Sequence, residues 1–206
     1  MEIRREIRKA VVAGQFYPAS QEALLQEIER LFSITRKEEK RKSEERKRVI
    51  GAIVPHAGYV YSGLCAAYAY REIEKDFPKR FIILAPNHAG IASGEFSISL
   101  KDFETPLGIV ENDKKMSKKL LREMGIEKDE AAHVYEHSIE VQLPFLQYIA
   151  KKQKKKFKII PIVVSTLDFE KCIKFAKVIS KKANECCIIA SSDTVSYTHL
   201  TLPTKA

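Results

Sequence analysis

Three histidines stand where one chain could gather imidazoles. Val54-Pro55-His56-Ala57-Gly58-Tyr59 and Ala85-Pro86-Asn87-His88-Ala89-Gly90 are two versions of one pattern, an apolar run that delivers proline, then histidine, then glycine. Proline restricts the backbone ahead of each imidazole, and glycine lets the chain turn sharply behind it. Neutral imidazole ligates iron, zinc or copper, and paired histidines on rigid neighbouring strand ends need little rearrangement to share one ion. Either histidine alone would serve as well in a hydrogen-bonded loop; the repeated context is what makes the pair candidate ligands. A third, His137 in Tyr135-Glu136-His137-Ser138-Ile139-Glu140, falls at the expected start of a helix carrying Val141, Leu143 and Leu146. The positive end of the helix dipole disfavours imidazolium there, which suits a ligand or a proton carrier at neutral pH, or a merely packed histidine. Glu136 and Glu140 read as ordinary first-turn acids ahead of any role in orienting His137, and His133 is assigned to the preceding loop. Asp193, which closes Ser191-Ser192-Asp193, could ligate a metal, orient a histidine or cap a helix.

The elements that must position these residues follow from periodicity. Apolar, β-branched runs at 49–55, 80–85, 157–164 and 187–190 predict strands. His56, His88 and Ser191-Ser192-Asp193 each follow one of them, and open α/β sheets form sites outside the carboxyl ends of their strands. Ser20 is placed to cap a helix in which Leu24, Leu25, Ile28, Leu31 and Phe32 share a face, and 62–74, 114–124, 138–150 and 169–182 carry further helical stripes. Residues 96–103 read as a single edge strand, with Phe96, Ile98 and Leu100 on one side, before Thr105-Pro106-Leu107-Gly108 turns the chain. Strands alternating with helices predict an α/β fold with a mostly parallel central sheet flanked by helices.

A length of 206 residues suits one domain with a single core. Apolar residues fall in short runs, none near the length that spans a bilayer, and the charged N-terminus lacks the pattern of a secretory leader. The expectation is a cytoplasmic protein with no membrane partner. Cys65, Cys172, Cys186 and Cys187 show no CxxC spacing and read as buried free thiols. The net charge of +9 raises the question of nucleic acid. Much of the excess lies at 36–48, mixed with glutamates, and at 151–158, where cations complement the end of a predicted helix, so no nucleic-acid partner is expected.

Gly14-Gln15-Phe16-Tyr17-Pro18-Ala19, Pro55-His56-Ala57-Gly58-Tyr59 with Tyr61-Ser62-Gly63, Pro86-Asn87-His88, Glu136-His137-Ser138-Ile139-Glu140 with Leu143-Pro144, and Ser191-Ser192-Asp193 occur in the order seen in the Memo family, which the chain resembles from about residue 10 to Asp193. Members of that family are also known as protein B of the AmmeMemoRadiSam system, named with a radical-SAM protein and an AMMECR-type partner. Their fold resembles the class III extradiol dioxygenases, which use non-haem Fe(II). The resemblance implies His56 and His88 as metal ligands, with iron as the expected metal and copper or zinc as alternatives. It implies His137 as a pocket residue beside them, the catalytic residue that would move protons if the protein is an enzyme, with Asp193 and Tyr59 as further pocket residues and radical-SAM and AMMECR-type proteins as candidate partners. Two functions follow: a dioxygenase-like, metal-dependent oxidoreductase, or a non-catalytic module whose histidine pocket receives a small molecule, a peptide or another protein. Metal-assisted hydrolysis fits less well, because the chain lacks a carboxylate-rich ligand set.

The departures from the family pattern carry their own expectation. After Ser-Ser-Asp the family has an aromatic or aliphatic residue and then Ser, Thr or Cys before a histidine, whereas this chain reads Asp193-Thr194-Val195-Ser196-Tyr197. The family's cysteine ligand comes from a later segment, and none of the four cysteines matches it. The domain is therefore expected at 1–193, incomplete at its carboxyl end and with an open metal shell, followed by a non-native tail at 194–206. Residues 195–204 read as a translated frame of a transposase-end sequencing adapter, which would remove His199 as a ligand. The competing reading is a native strand, since Val195, Tyr197 and Thr198 are good strand formers.

Overall fold

The computed structural model describes residues 6–38, 48–166 and 168–192. Asp193 and the tail 194–206, on which two of the expectations above rest, lie outside them. In chain order the elements are β1 (Ile7–Arg8), α1 (Gln21–Glu38), β2 (Gly51–Pro55), α2 (Tyr59–Lys75), β3 (Arg80–Pro86), β4 (Phe96–Ile98), β5 (Asp102–Thr105), β6 (Gly108–Val110), α3 (Lys114–Met124), α4 (Ala131–Val134), a 3-10 turn (Glu140–Gln142), α5 (Leu143–Gln153), β7 (Lys158–Val164), α6 (Phe169–Ser180) and β8 (Cys187–Ser192). Five strands form the central sheet in the order β2-β8-β3-β7-β4. The first four are parallel and β4 joins β7 antiparallel, which gives the α/β architecture that the alternation predicts.

Alternation along the central strands divides the core. On β3, Phe81, Ile83 and Ala85 face one layer while Ile82 and Leu84 face the other, and on β7 Ile159 and Val163 oppose Ile160 and Ile162. The first layer packs against α1, α2 and α5, and the second against α3 and α6. Each fully buried Ile or Phe stabilises the fold by about 1.5–3 kcal/mol relative to exposure. Helix starts follow their caps: Ser20 Oγ accepts from Ala23 N, Asp113 from Met116 N and Asp168 from Lys171 N. Gly125 closes α3 at φ 65°, a left-handed conformation open to glycine without strain. α2 lies so close to α1 that a Cβ on Gly63 would come within 2.9 Å of Leu31 Cδ1.

Three expectations change. The predicted helix 138–150 divides, because Pro144 has no amide hydrogen and is tolerated only in a first turn; the chain makes a 3-10 turn and α5 then starts at Leu143. The single strand expected at 96–103 also breaks. Glu130 accepts from Leu100 N and Ser99 Oγ, which takes a ladder donor out of use, and the chain leaves the central sheet for a second one, β1-β5-β6. His133, assigned to a loop, lies buried in α4, with Asp129 accepting from Ala132 N at its start. Of the four free cysteines, Cys186 and Cys187 are buried, Cys172 is half-buried and Cys65 is exposed. Among the described residues no helix is long and apolar enough to cross a membrane.

Candidate metal centre

Sheet order brings the histidines together. β8 lies between β2 and β3, so His56, which follows Pro55 at the end of β2, and His88, two residues beyond β3, flank the carboxyl end of β8. His137 enters from the loop between α4 and the 3-10 turn. Ring centroids lie 5.0 Å apart for His56 and His88, 5.7 Å for His56 and His137, and 4.8 Å for His88 and His137. One nitrogen from each imidazole lies within 4.8 Å of the others, a grouping that could hold a metal ion. His56 is buried, whereas the side chains of His88 and His137 are 34% and 19% exposed, so the group opens to solvent on one side.

Hydrogen bonding fixes the tautomers of two rings. Ser191 Oγ has one hydrogen, and it donates to Ser138 O at 2.7 Å while Gln142 Nε2 donates to it at 2.8 Å. His56 Nδ1, 3.0 Å from the same oxygen, must therefore be the donor, which makes Nε2 the lone-pair nitrogen. Gln142 is itself held by Tyr70 OH, which donates to its Oε1, and by its own donation to Pro55 O. Glu136 does the same for His88: its carboxylate accepts from His88 N at 2.7 Å and lies 3.0 Å from Nδ1. Burial alone would raise the Glu136 carboxyl, but hydrogen bonds from Ser138 and His88 outweigh it and hold the group below the usual range. An ionised carboxylate only accepts, so His88 Nδ1 donates and Nε2 again carries the lone pair. A carboxylate, backbone carbonyl or water at the second ring nitrogen is the usual support of histidine ligands, and at His56 the Ser191 hydroxyl takes that position.

A buried clasp holds the third ring. Glu140 accepts from Arg8, from Val11 N at 2.9 Å, from Val12 N at 3.1 Å and from Tyr17 OH. Arg8 also donates to His133 O and Glu136 O, so one guanidinium ties both ends of the 133–140 segment to the N-terminal strand. The clasp sets Phe16 beside His137, with ring centroids 4.6 Å apart. Asp129 anchors the loop beyond His88 by accepting from Ser93 N, Ser93 Oγ and Ser97 Oγ. Burial would raise its carboxyl, yet these bonds and that from Ala132 N hold it at about 2.

His56, His88 and His137 are thus brought together. Tyr59 takes another place: its ring packs between Tyr17 and Phe145 and its hydroxyl donates to Val141 O at 2.8 Å, bracing the histidine-bearing segment from the core. Glu136 and Glu140 are not ordinary first-turn acids, since both are buried acceptors that bind segments distant in sequence. Ser191, Gln142 and Arg8 had drawn no individual role in the sequence. The available signals were a glutamine between Val141 and Leu143, a serine directly after the apolar run that ends at Ala190, and an arginine two residues ahead of the short apolar run at 10–13.

A family profile described as "Memo-like protein" matches residues 8–202. A MEMO1 family protein of Thermococcus onnurineus is 42% identical over 197 residues, which cover 93% of this chain and 66% of that protein. One from Pyrococcus furiosus is 39% identical over 197 residues, with 93% and 65% covered, and one from Aquifex aeolicus 38% over 193 residues, with 93% and 68% covered. The chain spans about two thirds of the length of these curated relatives.

Proposed function

This chain belongs to the Memo family, and from that premise we propose that its three-histidine group is the metal site of a dioxygenase-like, iron-dependent oxidoreductase. The observation that carries this reading is the pair of fixed tautomers. Ser191 and Glu136 each take the Nδ1 hydrogen of a histidine, so His56 and His88 both keep a lone pair on Nε2, and the two rings belong with His137 to one group of imidazoles. Imidazole nitrogen suits iron, copper and zinc alike; iron is favoured by the likeness of the family fold to extradiol enzymes.

Iron held there would supply Lewis-acid and one-electron chemistry that side chains lack. The rest falls to the chain. Glu136 and Ser191 keep the two ligand rings in register before anything binds, so little ordering is needed on binding. His137 is half-buried, stacked on His88 and in contact with Phe16; in this reading it is the imidazole that takes a proton from an entering substrate and returns it. Phe16 covers one side of that ring and limits the approach of water.

Oxygen uptake measured on the purified protein with added Fe(II), across a panel of catechol-type and other small organic substrates, tests the reading. Uptake that requires iron, disappears in His56→Ala and drops in His137→Ala supports it. A protein that takes up no metal, or whose uptake is unchanged in His56→Ala, contradicts it.

A further inference from the structure

At the opposite end of the sheet, where β3 and β7 begin, a cleft of about 1210 Å³ opens between the start of α1, the β5–β6 hairpin and the segment after α5. It lies at the amino ends of strands, and the histidines lie beyond carboxyl ends, so the two sites are separate. Its charges do not balance. Arg80 pairs with Asp113 at 2.6 Å and Lys158 with Glu111 at 3.2 Å, which engages both carboxylates that line the cleft. Lys79, Lys115, Lys151, Lys155 and Lys156 remain, all exposed and with no ion pair among the described residues.

Local structure accounts for only part of this. Lys151 lies in the last turn of α5, where a cation complements the helix dipole. Lys115 lies in the first turn of α3, the positive end, where the dipole opposes it. Lys79 precedes β3 and gains nothing from either helix. Lysines from α3, from the end of α5 and from the connection ahead of β3 therefore converge on one cleft without a shared local cause. Its floor is apolar and only partly covered, formed by Leu25, Leu107, Ile109 and Phe157. The rings of Phe77, Phe81 and Phe157 pack on one another with centroids 5.2 to 5.7 Å apart. Phe77 and Phe81 are buried and Phe157 is partly covered against them, so the three rings do not form the open aromatic platform on which nucleic-acid bases stack.

We propose that this cleft docks an acidic peptide segment of a partner protein, with carboxylates on the lysine rim and intervening apolar side chains on the floor. Electrostatic complementarity of this kind selects a partner and speeds its encounter. The test is fluorescence anisotropy with a short labelled peptide in which glutamates alternate with leucines. Binding should weaken with salt and by roughly tenfold or more in the triple variant Lys151→Glu, Lys155→Glu, Lys156→Glu, and should persist when the same lysines become arginine. All three side chains are exposed, and thermal unfolding by circular dichroism checks that the variant keeps the wild-type transition. Four results overturn the proposal: no binding of the peptide, equal binding by the glutamate variant, equal binding of a peptide with glutamine for glutamate, or tighter binding of a single-stranded oligonucleotide at the same lysines.

Discussion

Glu136 receives two hydrogen bonds from the single residue His88, one from its backbone nitrogen at 2.7 Å and one from Nδ1 at 3.0 Å. The loop and the ring are thus fixed by the same buried carboxylate, which links the strand end of β3 to the segment carrying the third histidine. Glu136→Gln keeps the shape but removes the charge, and the amide can turn its NH2 group toward His88. Metal affinity should fall by about 10–100-fold, the usual effect of losing such support. Anaerobic titration calorimetry with Fe(II) reads this directly, and an unchanged affinity would show that the carboxylate does not set the ring.

Ser191→Ala deletes the acceptor of two donors, His56 Nδ1 and Gln142 Nε2. Buried donors left without partners cost about 1–3 kcal/mol in total stability. His56 should also lose its preferred tautomer. Urea unfolding should show the stability loss, and imidazole nitrogen NMR shifts of the metal-free protein should show mixed tautomers where the parent shows one.

The Arg8–Glu140 pair is wholly buried, with side chains 4% and 0% exposed. Arg8→Met would leave Glu140 with only two backbone amides and Tyr17 OH as partners, and would strip donors from His133 O and Glu136 O. Breaking one side of a buried ion pair costs about 3–5 kcal/mol. Denaturant unfolding should place Arg8→Met in that range, and a loss below about 1 kcal/mol, the ordinary value of a surface pair, would show that the clasp is dispensable.

Burial pushes the His133 imidazole down from 6.5 to about 4, a shift that hydrogen bonding to Ser97 O only partly offsets. Between those values the unfolded chain binds a proton that the folded one refuses, so stability rises with pH there. The contribution is complete above about pH 6.5 and is lost as pH falls toward 4, by roughly 3 kcal/mol over the window. The fall in stability across this window should shrink by that amount in His133→Gln, measured as unfolding free energy against pH.

Much of this was legible in the chain. Four central strands, the Ser20 cap and the α3 boundaries follow from alternation and capping alone, because each is decided by neighbours in sequence. The two proline-histidine-glycine turns marked ligand candidates for the same reason. What escaped is what depends on partners far along the chain. Glu140 and Arg8 are 132 residues apart, and neither residue type announces burial. The break after Ile98 depends on Glu130, some thirty residues on, and a periodic pattern at 96–103 cannot register a competing acceptor there. Gln142 joins Tyr70, Pro55 and Ser191 behind His56, and none of the three is near it in sequence.

If His56 and His88 together hold iron, as proposed, metal quantification after anaerobic dialysis will show it. The parent protein, His56→Ala and His88→Ala are each equilibrated with Fe(II), freed of excess and analysed by mass spectrometry, with circular dichroism confirming that each is folded. The parent, whose metal shell is open, should retain a measurable fraction of one equivalent of iron per chain, and each variant should retain almost none. Equal iron in a folded His56→Ala or His88→Ala protein, or none in the parent, would contradict the account.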